Sequence, residues 1–287
     1  MGLKMIELGF SLNNEMRNWG DLVLRESAGK LIDFRLLSQK YSGGAFGGSI
    51  LSKEWFENFE AIGVPLFLYG CGVRSEEPLV LPDNVKLYGV RGRFSESVLG
   101  IKAIGDPGIF APLALGIEPN NDTKRKYLFV PHKNDRTIYS PDGFEKLSPL
   151  IPVSTNSASL VNEIANSDFV LTGSLHVGIV SFALGVPFSF FQHEYLDIPI
   201  KFHDFADFYD LPVMFAPNPN IGIDFFLSNE HIWGSLRKHH FDLLLSPISE
   251  FLSPFGISTS KRIETYLDAR EKAFITKSQA LLKYKDV

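Results

Sequence analysis

The chain has 287 residues and a formal net charge of −5, with 28 Lys and Arg against 33 Asp and Glu. A hydrophobic fraction of 45% excludes a disordered protein, and the acidic balance argues against nucleic-acid binding through a basic surface. The single Cys71 excludes an internal disulfide and a thiolate metal site, and it suits a reducing compartment. At roughly 150 residues per domain, the length suggests about two domains.

Short apolar runs alternate with helical stretches along the chain. Because the runs are continuous rather than alternating, they predict strands covered on both faces, joined in parallel sheets by right-handed crossovers. The predicted strands cover 4–10, 64–69, 86–90, 127–131, 151–154, 169–172 and 187–191. The predicted helices cover 21–37, 49–62, 94–99, 157–166, 175–184 and 201–209.

The polar segment 116–126, GIEPNNDTKRK, is the best internal boundary. It predicts an α/β protein of two Rossmann-like halves, 1–118 and 119–257, that face a cleft and have parallel sheets flanked by helices. Residues 258–287 predict one long helix that packs on both halves, with a peripheral membrane contact as the weaker alternative. No apolar stretch reaches 18 residues, so we expect a soluble, cytoplasmic product.

Ligands bind beyond the carboxyl ends of the strands in open α/β sheets, which directs attention to the loops there. In the segment NWGD at 18–21, Gly20 permits close backbone approach and Asp21 is the expected helix N-cap. The Gly-rich segment 42–48, with Gly43 and Gly44, offers backbone N–H groups to an anion or a sugar hydroxyl, or forms a turn only. It matches neither the dinucleotide nor the Walker pattern.

Charged residues follow three other predicted strands. Arg91 comes directly after a strand, where it suits bidentate binding of a phosphate or carboxylate. Asp106 either shapes a turn or pairs with an arginine, and His132 ends the first strand of the second half.

The segment 171–178, LTGSLHVG, leads from an apolar strand into an apolar helix. Ser174 is the expected N-cap, which puts His176 in the first turn, at the positive end of the helix dipole. A histidine in such surroundings is usually a packed core group. A bound dianion would instead favour a protonated His176. The remaining histidines show no metal-ligand spacing, and no GxSxG element is present.

Together these pieces resemble the polysaccharide pyruvyl transferase family, whose members move the enolpyruvyl group of phosphoenolpyruvate onto sugars. The strongest elements are VRGxxS, GDP and SLHxGIxxxAxGVP, although Ser174 stands where many relatives carry arginine and Val177 where glycine is common. The matching stretches, between about 6 and 212, are NWGD (18–21), the Gly-rich segment (43–48), YGVRGRFSESVL (88–99), GDPGIFAP (105–112), FVPHKND (129–135), FVLTGSLHVGIVSFALGVP (169–187) and IKFHDFADFYDLP (200–212).

The resemblance implies a GT-B-like fold and a bacterial exopolysaccharide enzyme that forms a pyruvate ketal and releases phosphate. Phosphoenolpyruvate would be the donor substrate, with no cofactor or metal, and the acceptor a glycan or lipid-linked oligosaccharide. His176 would be the general acid, Arg91 the anion clamp assisted by Lys201, and Asp21 or His132 the group that deprotonates or orients the acceptor. The further expected substrate contacts are Asn18, Gly43, Gly44, Asp106, Ser174 and Leu175.

Two other functions remain open at this point. A GT-B glycosyltransferase using a nucleotide sugar would fit two facing halves, although no E-x7-E pair occurs. A catalytically inactive scaffold of polysaccharide assembly is the third reading, against which the presence of Arg91, Asp106 and His176 argues.

Overall fold

A computed structural model describes residues 6–7, 16–135, 140–152, 155–192 and 195–285. The strands are β1 Ile6–Glu7, β2 Met16–Asn18, β3 Gly43–Phe46, β4 Leu66–Tyr69, β5 Val85–Leu87, β6 Tyr127–Val130, β7 Phe144–Lys146, β8 Leu150–Pro152, β9 Phe169–Thr172, β10 Phe188–Phe191 and β11 Phe215–Ala216. The helices are α1 Trp19–Leu31, α2 Phe34–Leu37, α3 Lys53–Ile62, α4 Arg93–Leu99, α5 Ala111–Leu115, α6 Ala158–Ala165, α7 Leu175–Leu184, α8 Ile200–Phe208, α9 Pro219–Ser228, α10 Glu230–Trp233, α11 Lys238–Leu245 and α12 Pro254–Lys285. Short 3-10 turns cover Pro107–Phe110 and Ser246–Phe251.

Two parallel sheets flanked by helices confirm the predicted α/β class. The first sheet has the order β1-β3-β4-β5 and the second the order β11-β10-β9-β6-β7, and every neighbouring pair within them is parallel. Strands β4, β6, β9 and β10 are buried at every position, as expected for strands covered on both faces. The division into domains at 118 and 257 stays a prediction.

The described part of the strand predicted at 151–154 does not join either parallel sheet, and residues 153–154 lie outside the described residues. Residues Leu150–Pro152 form β8, which pairs antiparallel with β2. Beside this pair, the fully buried Trp19 donates its backbone N–H to the Pro149 carbonyl and its indole N–H to the Ser157 carbonyl, both at 2.9 Å. The start of α1 is therefore fixed to a segment more than a hundred residues later in the sequence.

Three other predicted elements have different bounds. The helix predicted at 21–37 is two helices, because Ile32 forms a β-bridge with Leu252 and Asp33 caps α2 by accepting the Arg35 N–H. The helix predicted from 49 begins only after Ser52, whose side chain caps α3. The predicted loop 42–48 is wrong over Gly43–Phe46, which form β3.

Helix α12 packs on the protein through a buried face, as the sequence predicts: Ile263, Tyr266 and Leu281 are fully buried. Two buried cations on this face reach the carboxyl ends of other helices. Arg270 donates to the carbonyls of Phe182 in α7 and Trp233 in α10, at 2.9 and 3.0 Å. Lys277 donates to the carbonyls at 165 and 167, at the end of α6. Cations at helix C-termini complement the helix dipole.

Burial lowers the pKa of Lys277 to about 8 and that of Arg270 to about 10. Within the described part of the chain, no helix is both long and apolar enough to cross a membrane.

Candidate functional site

Polar residues, some of them predicted and some not, gather where strands of both sheets end. Ser49 follows β3, Arg91 follows β5, and His132 follows β6. His176 follows β9, and Asp197 and Lys201 follow β10. The carboxyl ends of parallel strands lie at the same edge of a sheet, so this placement brings groups distant in sequence together.

Arg91 is fully buried and is held by two partners. Its Nε donates to Asp204 Oδ2 at 3.2 Å, and its Nη1 donates to Ser49 Oγ at 2.9 Å. Its Nη2 is buried and has no hydrogen-bond partner among the described residues. A buried donor without a partner costs about 1–3 kcal/mol, so this nitrogen is suited to an anion that arrives from outside the chain.

Lys201 belongs to a chain of contacts with Asp197 and His132. The Lys201 ammonium pairs with Asp197 Oδ2, and His132 Nε2 lies 3.3 Å from the same oxygen. Burial lowers the pKa of Lys201 although Asp197 opposes this, and the nearby Arg91 lowers it further. Burial alone would raise the pKa of Asp197, but the hydrogen bond from His132 and the charge of Lys201 hold it well below its usual range.

Both ring nitrogens of His132 are engaged within the protein. Its Nδ1 accepts the Asn134 N–H at 3.1 Å, so the neutral ring carries its proton on Nε2, which faces Asp197. Tyr195 stacks on the ring with a centroid distance of 4.7 Å. This arrangement leaves neither nitrogen for an acceptor hydroxyl, and His132 instead orients Asp197.

His176 lies in the first turn of α7, as predicted, and its Nε2 is buried without a hydrogen-bond partner among the described residues. Burial, together with the charges of Lys201 and Arg91, lowers the pKa of His176 to about 3. The imidazole is therefore neutral at pH 7 in the free protein. A dianion bound between His176, Lys201 and Arg91 would offset the charges of the two cations, which are two of the three causes of the low pKa.

The first turn of α1 fixes the other side of the His176 ring. A Cβ atom built on Gly20 would lie 2.4 Å from His176 Nδ1, closer than any van der Waals contact. The expected N-cap at Asp21 is wrong, because α1 begins at Trp19 and Asn18 holds the N-cap position. The Asn18 amide donates to Asp21 Oδ2 at 2.9 Å. The segment 18–21 therefore lies against the proposed general acid, with its polar side chains paired to each other.

Gly20→Ala should lower kcat by about 10²-fold in the protein that remains folded. The added methyl group forces the imidazole to move, and a displacement of about 1 Å in a catalytic group can cost that factor. Gly29→Ala is the matched control in the same helix, since its Cβ would meet nothing closer than Phe34 at 3.9 Å. Equal activities of the two variants would show that the position of His176 does not matter.

Asp106 shapes a turn, one of the two alternatives drawn from the sequence. It is fully buried, and its Oδ1 accepts the Gly108 N–H at 2.8 Å. Burial raises its pKa to about 6, although the charge of Arg91 acts in the opposite direction. Its Oδ2 has no hydrogen-bond partner within the described ranges.

Four other expected contact residues have different surroundings. Gly43 and Gly44 lie within β3, and a Cβ on Gly44 would come 2.6 Å from the Phe67 carbonyl, so close strand packing requires this glycine. Leu175 packs in the core. Ser174 holds the N-cap position of α7 as predicted, although its side chain makes no capping hydrogen bond. The geometry supports Ser174 beside the site and gives no support to Gly43, Gly44 or the Leu175 side chain as ligand contacts.

The sequence prediction missed Asp197, Asp204, Ser49 and Ser95. A partial signal was present, because Lys201 and Asp204 are three residues apart within the predicted helix 201–209, which places their side chains on one face, and Asp197 precedes Lys201 by four residues. No group of three or more histidine, cysteine or acidic side chains suited to a metal ion occurs in the described segments.

Comparison with known proteins identifies the family. Among solved structures, the protein is similar to a functionally uncharacterized protein from Klebsiella pneumoniae subsp. pneumoniae NTUH-K2044, with 12% identity, a TM-score of 0.45, and coverage of 71% of this chain and 90% of that one. No curated protein gives a significant match. The sequence model of the polysaccharide pyruvyl transferase family matches residues 11–195, which is more than half of the chain. The protein therefore belongs to the polysaccharide pyruvyl transferase family, which indicates a transferase.

Proposed function

We propose that this protein transfers the pyruvyl group of phosphoenolpyruvate to two hydroxyls of one sugar in a bacterial surface polysaccharide precursor, giving a cyclic ketal and phosphate. The observation that carries the proposal is the pair of buried nitrogens, Arg91 Nη2 and His176 Nε2, that lack partners among the described residues beside the cation Lys201. A ligand with a phosphate and a carboxylate would supply acceptors for both and offset the cost of their burial.

Proton transfer would begin at His176. Phosphoenolpyruvate would bring negative charge beside a ring whose pKa is now lowered by burial and by two cations, so binding would raise that pKa and draw a proton onto the imidazole. The imidazolium would then give this proton to the methylene carbon, which becomes the methyl group. Carbon 2 gains positive character, and Arg91 would stabilise the phosphate and carboxylate attached to it.

The remaining steps exchange one phosphate for two sugar oxygens. The first hydroxyl adds to carbon 2 and releases its proton, and the bond between carbon 2 and the phosphate oxygen then breaks. The second hydroxyl adds to the resulting cation and releases its proton, which closes the ketal. One of the two hydroxyl protons restores the general acid and the other leaves with phosphate. Asp21 is the proposed group that orients the acceptor: its Oδ2 accepts from the Asn18 amide, and a carboxylate has capacity for further hydrogen bonds, whereas the single proton and the single lone pair of the neutral His132 ring are both used.

The test is phosphate release from phosphoenolpyruvate against a panel of synthetic and lipid-linked glycosides that carry free 4- and 6-hydroxyls. We expect acceptor-dependent phosphate release together with a new ketal methyl signal in the proton NMR spectrum of the glycan. Parallel reactions receive a nucleotide sugar in place of phosphoenolpyruvate. Release of nucleotide with no phosphate from phosphoenolpyruvate would overturn the proposal in favour of a glycosyltransferase.

A further inference from the structure

The carboxylate of Asp204 makes hydrogen bonds to Ser95 in addition to its ion pair with Arg91. Asp204 is fully buried, and its Oδ1 accepts the Ser95 N–H at 2.9 Å. Its Oδ2 accepts the Ser95 hydroxyl at 2.6 Å and faces Arg91 Nε at 3.2 Å. Because both oxygens are hydrogen-bonded, the plane of the carboxylate is fixed. Arg91 Nε can therefore donate to Asp204 Oδ2 in only one direction.

A close contact between the backbones of Gly92 and Asp204 further fixes the position of Asp204. A Cβ on Gly92 would lie 1.7 Å from the Asp204 carbonyl oxygen, so the turn after β5 and helix α8 are in direct contact at this glycine. Lys201 lies one turn earlier in the same helix. Helix α8 therefore supplies one cation to the site and the anchor of another.

In this arrangement, two of the three guanidinium nitrogens of Arg91 donate to residues of the protein and the third does not. Asp204 takes Nε and Ser49 takes Nη1, which leaves Nη2 as the nitrogen without a partner among the described residues. A guanidinium is planar, so fixing two of its nitrogens also fixes the direction of the third. If Asp204 released Nε, the plane would be free to turn about the remaining contact with Ser49.

We propose that Asp204 is the positioning residue of Arg91: it sets the plane of the guanidinium so that Nη2 is presented to an anionic ligand. The nature of that ligand rests on the proposed function, whereas the orientation of Arg91 does not. Asp204 itself touches no substrate in this proposal.

Asp207 provides a matched control in the same helix. It faces Arg93 at 3.6 Å, and both side chains are about half exposed. An exposed pair of this kind contributes little, so Asp207→Asn should leave the site unchanged. Asp204→Asn removes the same charge from the buried pair with the same change of shape.

The first measurement follows the Arg91 Nε–H signal in a proton–nitrogen spectrum of the full chain, assigned by its loss in Arg91→Lys. In Asp204→Asn we expect this signal to shift and its hydrogen exchange with water to accelerate, and in Asp207→Asn we expect neither. Ser95→Ala removes a hydrogen bond to Asp204 but keeps both charges, so it should give a smaller change in the same direction. An unchanged Arg91 signal in folded Asp204→Asn overturns the proposal, and if that variant does not fold, an unchanged signal in Ser95→Ala does so.

The second measurement compares the affinities of inorganic phosphate and phosphoenolpyruvate by calorimetry, with KM and kcat where turnover is found. Asp204→Asn should weaken binding by about 10–100-fold, as expected for the loss of one charge-assisted hydrogen bond from Arg91 to the anion. It should raise KM more than it lowers kcat. A purely structural role would lower the melting temperature and leave the affinity of the folded protein unchanged, and this would overturn the proposal. If the parent protein binds neither anion, the proposed function fails, and the Arg91 signal alone decides the role of Asp204.

Discussion

His176→Ala should lower turnover by about 10²–10⁴-fold, the usual contribution of a positioned proton donor. The fold should survive, because His176 lies in the first turn of α7 and its Nε2 makes no hydrogen bond to any described residue that the substitution would break. Steady-state phosphate release gives the turnover, and thermal unfolding shows whether the structure persists. A stable variant with parental turnover would exclude a catalytic role.

His176→Gln separates proton transfer from binding. Glutamine keeps a hydrogen bond to an anion but cannot deliver a proton, so affinity for phosphoenolpyruvate should fall less than turnover does. Calorimetry in buffers of different ionisation enthalpy should also show proton uptake when the parent protein binds the ligand, and less uptake in the variant. No difference in proton uptake between the two would mean that His176 stays neutral throughout.

The same histidine should contribute to stability in a defined pH window. Its folded pKa of about 3 lies below the usual 6.5, so the unfolded chain binds the proton more tightly. This contribution is present above pH 6.5 and is lost as pH falls towards 3. The free energies of unfolding of the parent and His176→Gln, measured across this range, should therefore differ in slope.

Arg91→Lys should weaken phosphoenolpyruvate binding by about 1.5–3 kcal/mol, which is roughly 10–150-fold in affinity. A lysine retains the positive charge beside Asp204, but a single ammonium cannot reach Asp204, Ser49 and a ligand in the planar arrangement of a guanidinium. Titration calorimetry measures the loss. Parental affinity would mean that the anion is held elsewhere, with Lys201 the next candidate.

Arg91→Ala should in addition destabilise the protein by about 3–5 kcal/mol, because it leaves Asp204 as a buried charge without its partner. For Arg91→Lys, the sequence alone predicts a larger effect on binding than on folding. Because the Arg91–Asp204 pair is buried, the two substitutions test different properties. Lysine keeps the charge and tests binding, whereas alanine removes it and tests binding and folding together. Denaturant unfolding of both variants separates the two effects.

The sequence was most informative where a local rule determines the structure. Helix α7 has the predicted bounds, 175–184, because an apolar strand, a capping position at Ser174 and the terminal Gly185 mark its ends. The rule that ligands bind at the carboxyl ends of strands likewise led to Arg91 and His176 without structural information, whereas Lys201 came only from the family resemblance.

The sequence could not predict which residues of the site pair with each other. Arg91 and Asp204 are separated by 113 positions, and nothing in either segment indicates that they form a pair. The neutral state of His176 also depends on burial and on two cations, Arg91 from the turn after β5 and Lys201 from α8. Strand β3 was missed because two glycines resemble a loop, whereas Gly44 is needed for close contact with β4.

The capping of helix ends by α12 has a consequence for how the site is completed during synthesis. Arg270 and Lys277 leave the ribosome after every residue placed in the site above, and until then the carboxyl ends of α6, α7 and α10 lack these cations. Helix α7 carries His176 at its opposite end, so its final anchoring awaits the last helix. Nascent chains that stop short of residue 270 should thus be digested by protease within α7, even though every residue that lines the site has already been made.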